Sequence, residues 1–396
     1  MNIEENNLSI IQDILQLANT KDIITNDKKL DETLLQIYGD INKSYNYINK
    51  NKSNILLNIK KYKDVKKPQS FNSYFFPDNI KYYIDINSKY VYYYSFIINK
   101  RIINVHFILN EHISIKNITK KIHLMYLWLY ICTNYSSINC LKKLNIYIYL
   151  TPFKKILPSN KSIILGPDNV NTGYTQICPY NGEIIIYRKE EWFKVFIHES
   201  MHTFGFDKGL VNNITNRNIN DIFPISVEIY LNEAYSETWA RIITSAINSY
   251  LFLENKSNKT LFLRQIKLRM EIQRYYSLLQ MNKILKFMDL NYILLYDKSN
   301  ESQYLRDKLY REKTNVFSYY VLTSIFMNNY SEFLKWCKKN NDILYKFKIS
   351  DKNINNFINI LNNKYDNKSL LNDIKLVDKY IKNKNNEGLT MTIVNV

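Results

Sequence analysis

Strand-like and helix-like patterning occupy different stretches of this 396-residue chain, and that segregation points to an α+β architecture rather than an alternating α/β one. From Ser70 to Leu109 the runs "IKYYIDI", "YVYYYSFII" and "IINVHFIL" carry the β-branched and aromatic content of strands, with a hairpin at Asn99-Lys100-Arg101. "LNIYIYL" (144–150) and "EIIIY" (183–187) read as two more strands. Residues 8–50 show apolar positions at helical spacing, and 118–132 return to helix. After residue 189 helices dominate, near 189–204, 225–250, 259–289, 301–310, 314–328, 331–346 and 352–383. The closing "LTMTIVNV" is either an added strand or an extended tail. Four regions follow: 1–67 helical, 68–143 β-rich with a helix, 144–345 the expected catalytic domain, and 346–396 a helical tail.

Glycine is scarce, and its placement points to a site. Five of the seven glycines, at 166, 173, 182, 205 and 209, fall in one 44-residue window. In a chain rich in Lys, Asn, Ile and Tyr, as AT-rich codons produce, these positions mark backbone that needs positive φ or a close approach. The same window holds "FIHESMHTFGFD", Phe196 to Asp207, with two of the five histidines.

Two histidines four apart on a helix project from one face a turn apart, the separation at which two imidazoles reach one tetrahedral Zn²⁺. His198 and His202 meet that requirement, and Glu199 between them is placed to serve as general base toward a water. An accidental His-Glu-x-x-His among five histidines arises roughly once in four hundred such chains, so the pattern is informative. The bland alternative is a core helix with two satisfied histidines. A third ligand inside the stretch is poorly supplied: the position six residues past His202 is Lys208, and Asp207 stands one place early. The better candidate is Glu233 in "VEIYLNEAYSETWARII", 31 residues past His202, with Glu237 one turn on to hydrogen-bond the free ring nitrogen of a ligand histidine. Taken alone, that pair would read as an acidic surface face of a helix.

The combination of His198-Glu199-Ser200-Met201-His202 with Asn232-Glu233-Ala234-Tyr235-Ser236-Glu237 resembles the gluzincin, thermolysin-like zinc metallopeptidases. With "VNTGY" upstream and "RKEEWFKVFIHE", it is also similar to uncharacterised metallopeptidase-like proteins of large DNA viruses. The family's second motif ends in Asp where this chain has Glu237, and the resemblance covers about residues 144–245. It implies a zincin-like fold, with a twisted sheet supplying one wall of the active site and the helices after 189 the other. It implies one Zn²⁺ on His198, His202 and Glu233, and a peptide or protein substrate. It also implies a substrate-pairing edge strand before the active-site helix, for which Asn171, Thr172 and Gly173 stand in the right order. No histidine follows His202, so the resemblance leaves the oxyanion to a tyrosine: Tyr319 or Tyr320, with Tyr230 and Tyr235 as nearer alternatives.

Charge and cysteine content bound the rival readings. The net charge of +18 allows non-specific nucleic-acid contact, yet the basic residues are scattered rather than gathered in a stripe. Four cysteines without CxxC spacing predict reduced thiols and an intracellular protein, and the N-terminus lacks a basic leader region. No stretch reaches the ~18 apolar residues of a membrane span. Two other functions stand beside the peptidase as alternatives: an inactive zincin-like structural or interaction protein, of the kind carried in a virion, and a basic nucleic-acid-associated protein.

Overall fold

The computed structural model describes residues 5–17, 27–51, 54–211, 218–381 and 387–394. In chain order these form α1 (Glu5–Leu17), α2 (Lys28–Asn51), β1 (Leu56–Lys61), α3 (Asp78–Asn87), β2 (Tyr90–Ile98), β3 (Arg101–Leu109), α4 (Ile115–Tyr135) and β4 (Lys143–Thr151). There follow α5 (Pro167–Val170), β5 (Gly173–Thr175), β6 (Asn181–Arg188), α6 (Trp192–Thr203), α7 (Leu231–Phe252), α8 (Lys259–Phe287) and α9 (Asn300–Leu309). A π-helical turn, Phe317–Leu322, runs directly into α10 (Thr323–Asn328), then α11 (Tyr330–Asn340), α12 (Asp351–Asn362) and α13 (Lys368–Ile381). The class is α+β, and the chain divides into two compact units that are each discontinuous in sequence.

The first unit, residues 35–154 and 171–208, is built on a six-stranded mixed sheet in the order β1-β2-β3-β4-β6-β5. β2 and β3 form the hairpin expected from the sequence, with Asn99 and Lys100 at φ 47° and 64°, the two positive dihedrals a tight primed turn requires. β3, β4 and β6 run parallel, with α4 between β3 and β4, while β5 lies antiparallel to β6 at one edge. One face carries Val91, Ile108, Tyr149, Ile185 and Tyr187, packed with Phe71 and Phe76 and with Ile80 and Ile84 of α3 into an aromatic-rich core.

Two local readings change here. "IKYYIDI" is not a strand but most of α3: Ile80 and Ile84, one turn apart, are 1% exposed while Tyr82 and Ile86 are 71% and 59% exposed. Its residue types suit either structure, and packing one apolar stripe on the sheet decides for the helix. "LLNIKK", placed in the N-terminal helical region by the sequence, is the edge strand β1, its six side chains all exposed. An edge strand that buries nothing has no alternating pattern to detect.

The cysteine reading is also corrected. Cys140 and Cys178 form a disulfide, their Cα atoms 4.7 Å apart although 38 residues separate them, while Cys132 and Cys337 are free and buried. The loop before β6 returns to the start of β4, where the Leu141 and Lys142 amides donate to the Pro179 and Tyr180 carbonyls, and this contact no local spacing announces.

The second unit, residues 1–34, 155–170 and 209–396, is helical. α8 is buried along most of its length, packed by α7, α10 and α13, which is why its sequence shows so little amphipathic contrast. The stretch 352–383, read as one helix, is two, α12 and α13, broken at 363–367. Residues 387–394 run from an exposed Glu387 into this unit: Lys283 Nζ and the Tyr320 hydroxyl donate to the Gly388 and Leu389 carbonyls, and Leu389, Met391, Ile393 and Val394 are nearly inaccessible. Among the described residues no helix is long and apolar enough to cross a membrane.

Candidate metal centre

Every residue of α6 is buried, which accounts for its apolar content on all sides: Val195, Phe196, Ile197 and Met201 surround the polar His198-Glu199-Ser200 and His202. The helix stops at Gly205, whose φ of +69° admits glycine without strain. Gly205 and Cys178 both donate their amides to the His202 carbonyl, at 2.8 and 3.0 Å. A Cβ at Gly205 would stand 2.9 Å from Cys140 Sγ, so the disulfide is seated directly against the end of this helix.

His198 and His202 present their Nε2 atoms to each other at 3.0 Å, with ring planes 79° apart. Two nitrogens bound to one tetrahedral zinc at ~2.0–2.1 Å stand roughly 3.3 Å apart, so this pair is close to the spacing a shared cation demands. The other ring nitrogen of His202, Nδ1, meets Asp207 Oδ2 at 2.5 Å, and Asp207 is fully buried. A carboxylate acceptor keeps the proton on Nδ1 and leaves the Nε2 lone pair free to bind metal. Asp207 thus meets the ring nitrogen of His202 that faces away from His198, a contact its spacing does not reveal because the chain turns at Gly205 to bring it back.

Gly173, on the edge strand, lies against both β6 and this helix. A Cβ there would stand 2.6 Å from the Ile185 carbonyl oxygen, 3.0 Å from Val195 Cγ1 and 3.5 Å from Glu199 Cγ. The Thr172 carbonyl accepts from the Tyr187 amide and the Asn171 carbonyl from Arg188 Nε, which ties both residues inward. By antiparallel alternation, the amide and carbonyl of Gly173, itself a buried residue, then point away from β6, on the side of β5 that pairs with no other strand of this sheet. The Thr175 hydroxyl lies 2.8 Å from that of Thr203, linking β5 to the last turn of α6.

In the helical unit, Glu233 sits in the first turn of α7 and accepts a hydrogen bond from the Tyr319 hydroxyl at 3.1 Å. Tyr319 belongs to the π-helical turn, an irregularity that often accompanies functional sites. Glu237 pairs with Arg241 at 2.9 Å, both nearly inaccessible, and Arg241 donates in turn to the Tyr319 carbonyl. The same turn is anchored by Glu312, which accepts from the Tyr310 hydroxyl and the Phe317 amide. Burial pushes the Glu312 carboxyl up to about 8 despite these two bonds. Of the two candidate tyrosines, Tyr319 meets a carboxylate of the expected ligand set, while Tyr320 donates to the Leu389 carbonyl. Tyr235 is buried with its hydroxyl on the Tyr345 carbonyl; Tyr230 is partly exposed and donates to Glu228.

Two imidazoles and one carboxylate, from His198, His202 and Glu233, are donors that could hold a metal ion. No sequence-family model, curated protein or solved structure matches this chain.

Proposed function

We propose that the protein is a zinc-dependent metallopeptidase of the gluzincin type, with His198, His202 and Glu233 holding the ion. The observation that carries the reading is the histidine pair: two Nε2 atoms face each other at 3.0 Å, and a buried carboxylate fixes the tautomer of one. Two imidazoles and a carboxylate form a donor set suited to zinc. A bound zinc would supply Lewis acidity and lower the pKa of a coordinated water.

The chain's own residues then have the following roles. Glu199, beside His198, accepts a proton from the attacking water and returns it to the departing amine. Asp207 holds the His202 ring and its proton at Nδ1. Tyr319, carried on the π-helical turn, is the donor toward the developing oxyanion, and the Glu237–Arg241 pair holds its backbone. The amide and carbonyl of Gly173, which point away from β6, pair with an extended peptide, giving affinity that is tolerant of sequence.

Zinc content and peptide hydrolysis test the proposal together. Wild type should hold near-stoichiometric zinc and cleave members of a peptide library. Glu199→Gln should keep the zinc and lose ~10²–10⁴-fold in rate. Zinc-free protein would overturn the reading; zinc-loaded protein with Glu199→Gln indistinguishable from wild type would make it a structural zincin-like protein instead.

A further inference from the structure

On the face of the sheet that carries the aromatic core, the cover supplied by α3 and residues 62–76 ends partway across, and a cavity of about 260 Å³ opens beside it. Its floor is two rows of residues paired across the strands: Tyr93, His106 and Tyr147 in one, Asn104 and Asn145 in the other. Its rim carries Lys60, Lys66 and Lys143. None of these residues belongs to the metal centre.

The hydrogen bonds of the floor consume its acceptors. Asn104 Oδ1 receives the Tyr93 and Ser95 hydroxyls at 2.8 and 3.0 Å, and Asn145 Oδ1 receives Asn104 Nδ2 at 2.9 Å. What remains toward the cavity is chiefly donors, the Asn145 amide nitrogen, the Tyr147 hydroxyl and three ammonium groups, beside the neutral His106 ring with its one acceptor nitrogen. Among the described residues none of the three lysines is in an ion pair; Lys60 Nζ lies 5.1 Å over the Tyr93 ring. The carboxylate nearest Tyr147, Glu183, is turned to the Gln69 and Ser70 amides and the Ser70 hydroxyl.

A pocket lined by unpaired donors and cations is complementary to a multidentate oxyanion. We propose that this cavity binds the phosphate group of a phosphorylated ligand, with Lys60, Lys66, Lys143 and Asn145 on its oxygens. At about 260 Å³ the cavity is larger than a bare phosphate requires and leaves room for the group esterified to it. His106 stacks on Tyr147 at 4.7 Å and 8°, and Lys60 lies over the Tyr93 ring, so these faces are already occupied and the floor offers hydrogen-bond donors rather than a free stacking platform. Burial, then Lys60, holds the His106 imidazole down at about 4, neutral at pH 7, and its Nδ1 is buried without a protein partner. His106 is thus a built-in reporter of charge entering the cavity.

The ligand's source is a small phosphorylated molecule or a nucleic-acid backbone, and the experiment separates them. The full-length protein is titrated at fixed ionic strength with inorganic phosphate, with adenosine monophosphate and with a single-stranded oligothymidylate. Affinity is followed by calorimetry and the His106 ring signal by NMR, assigned through His106→Gln. Phosphate and the mononucleotide should both shift the His106 signal. The Lys66→Ala/Lys143→Ala double variant should weaken them at least tenfold, and Lys66→Arg/Lys143→Arg should restore most of the loss. All four changes lie at the cavity rim, so they leave folding intact. An oligonucleotide that binds more tightly than the mononucleotide and loses affinity in the same alanine variant assigns the site to a nucleic-acid backbone; one that binds no better assigns it to a small ligand. A His106 signal unmoved by every probe, or affinities unchanged in the alanine variant, would overturn the proposal.

Discussion

Asp207 Oδ2 and His202 Nδ1 stand 2.5 Å apart, across a helix end that turns on Gly205. The contact joins a residue in the sequence's most conspicuous motif to one that the motif's spacing leaves out. It makes the histidine's tautomer a property of the loop after α6 rather than of the helix.

Asp207→Asn keeps the shape of that contact while removing its charge. Zinc affinity should fall ~10–100-fold, the range for loss of a partner to a ligand histidine, with the fold retained. Competition against a chromogenic chelator measures the first and circular dichroism the second. Affinity equal to wild type would mean that Asp207 is packing only.

Tyr319 and its neighbour provide an internal control. Tyr319→Phe removes the hydroxyl that meets Glu233 and should lower kcat ~10²-fold with KM little changed. Tyr320→Phe removes a bond to the Leu389 carbonyl and should cost about 1 kcal/mol of stability with kcat intact. The reverse assignment would show in steady-state kinetics on any cleaved peptide.

Gly173→Ala places a methyl 2.6 Å from a backbone oxygen that cannot move without shifting β6. A loss of about 1–3 kcal/mol is expected in urea unfolding, together with a raised KM as the edge strand is displaced. An alanine variant as stable as wild type would show that β5 and β6 separate easily.

Reduction of Cys140–Cys178 reopens a loop spanning 38 residues, worth about 2–4 kcal/mol in the unfolded-state account. Because the Cys178 amide also holds the His202 carbonyl, zinc should dissociate faster from the reduced protein. Stopped-flow zinc release with and without a phosphine reductant reads this directly, and equal rates would uncouple the disulfide from the histidine.

Glu312 ties stability to pH. Its carboxyl lies near 8 in the fold against 4.5 ordinarily, so between those values the folded chain keeps a proton that the unfolded chain has released. Its contribution to stability therefore falls as pH rises through that window and levels off above about 8. Glu312→Gln should have a Tm that gains on wild type steadily from pH 5 to 8. A constant Tm difference would show that Glu312 does not titrate there.

Local patterning makes much of the fold legible. The β2–β3 hairpin, β4, β6, α4, α6 and the long helices follow from runs whose residue types and period agree, because each buries one face or all faces in a way the sequence itself displays. α3 and β1 escape that reading for opposite reasons. "IKYYIDI" has strand-like content but a helical burial stripe, and β1 buries nothing at all.

The site divides in the same way. By itself the sequence determined which residues can ligate a metal and that His198 and His202 share a helix face, since a spacing of four on an α-helix permits no other outcome. It also set glycine at 173 and 205, where a side chain would collide or a left-handed dihedral is needed. Only the tertiary structure decided which carboxylate faces His202 Nδ1, which of two adjacent tyrosines meets Glu233, that Cys140 joins Cys178, and that a cationic cavity opens on the sheet. Each of these rests on contacts between segments distant in sequence or on the exact turn of a loop, and side-chain chemistry alone assigns no partner until the backbone has brought one within reach.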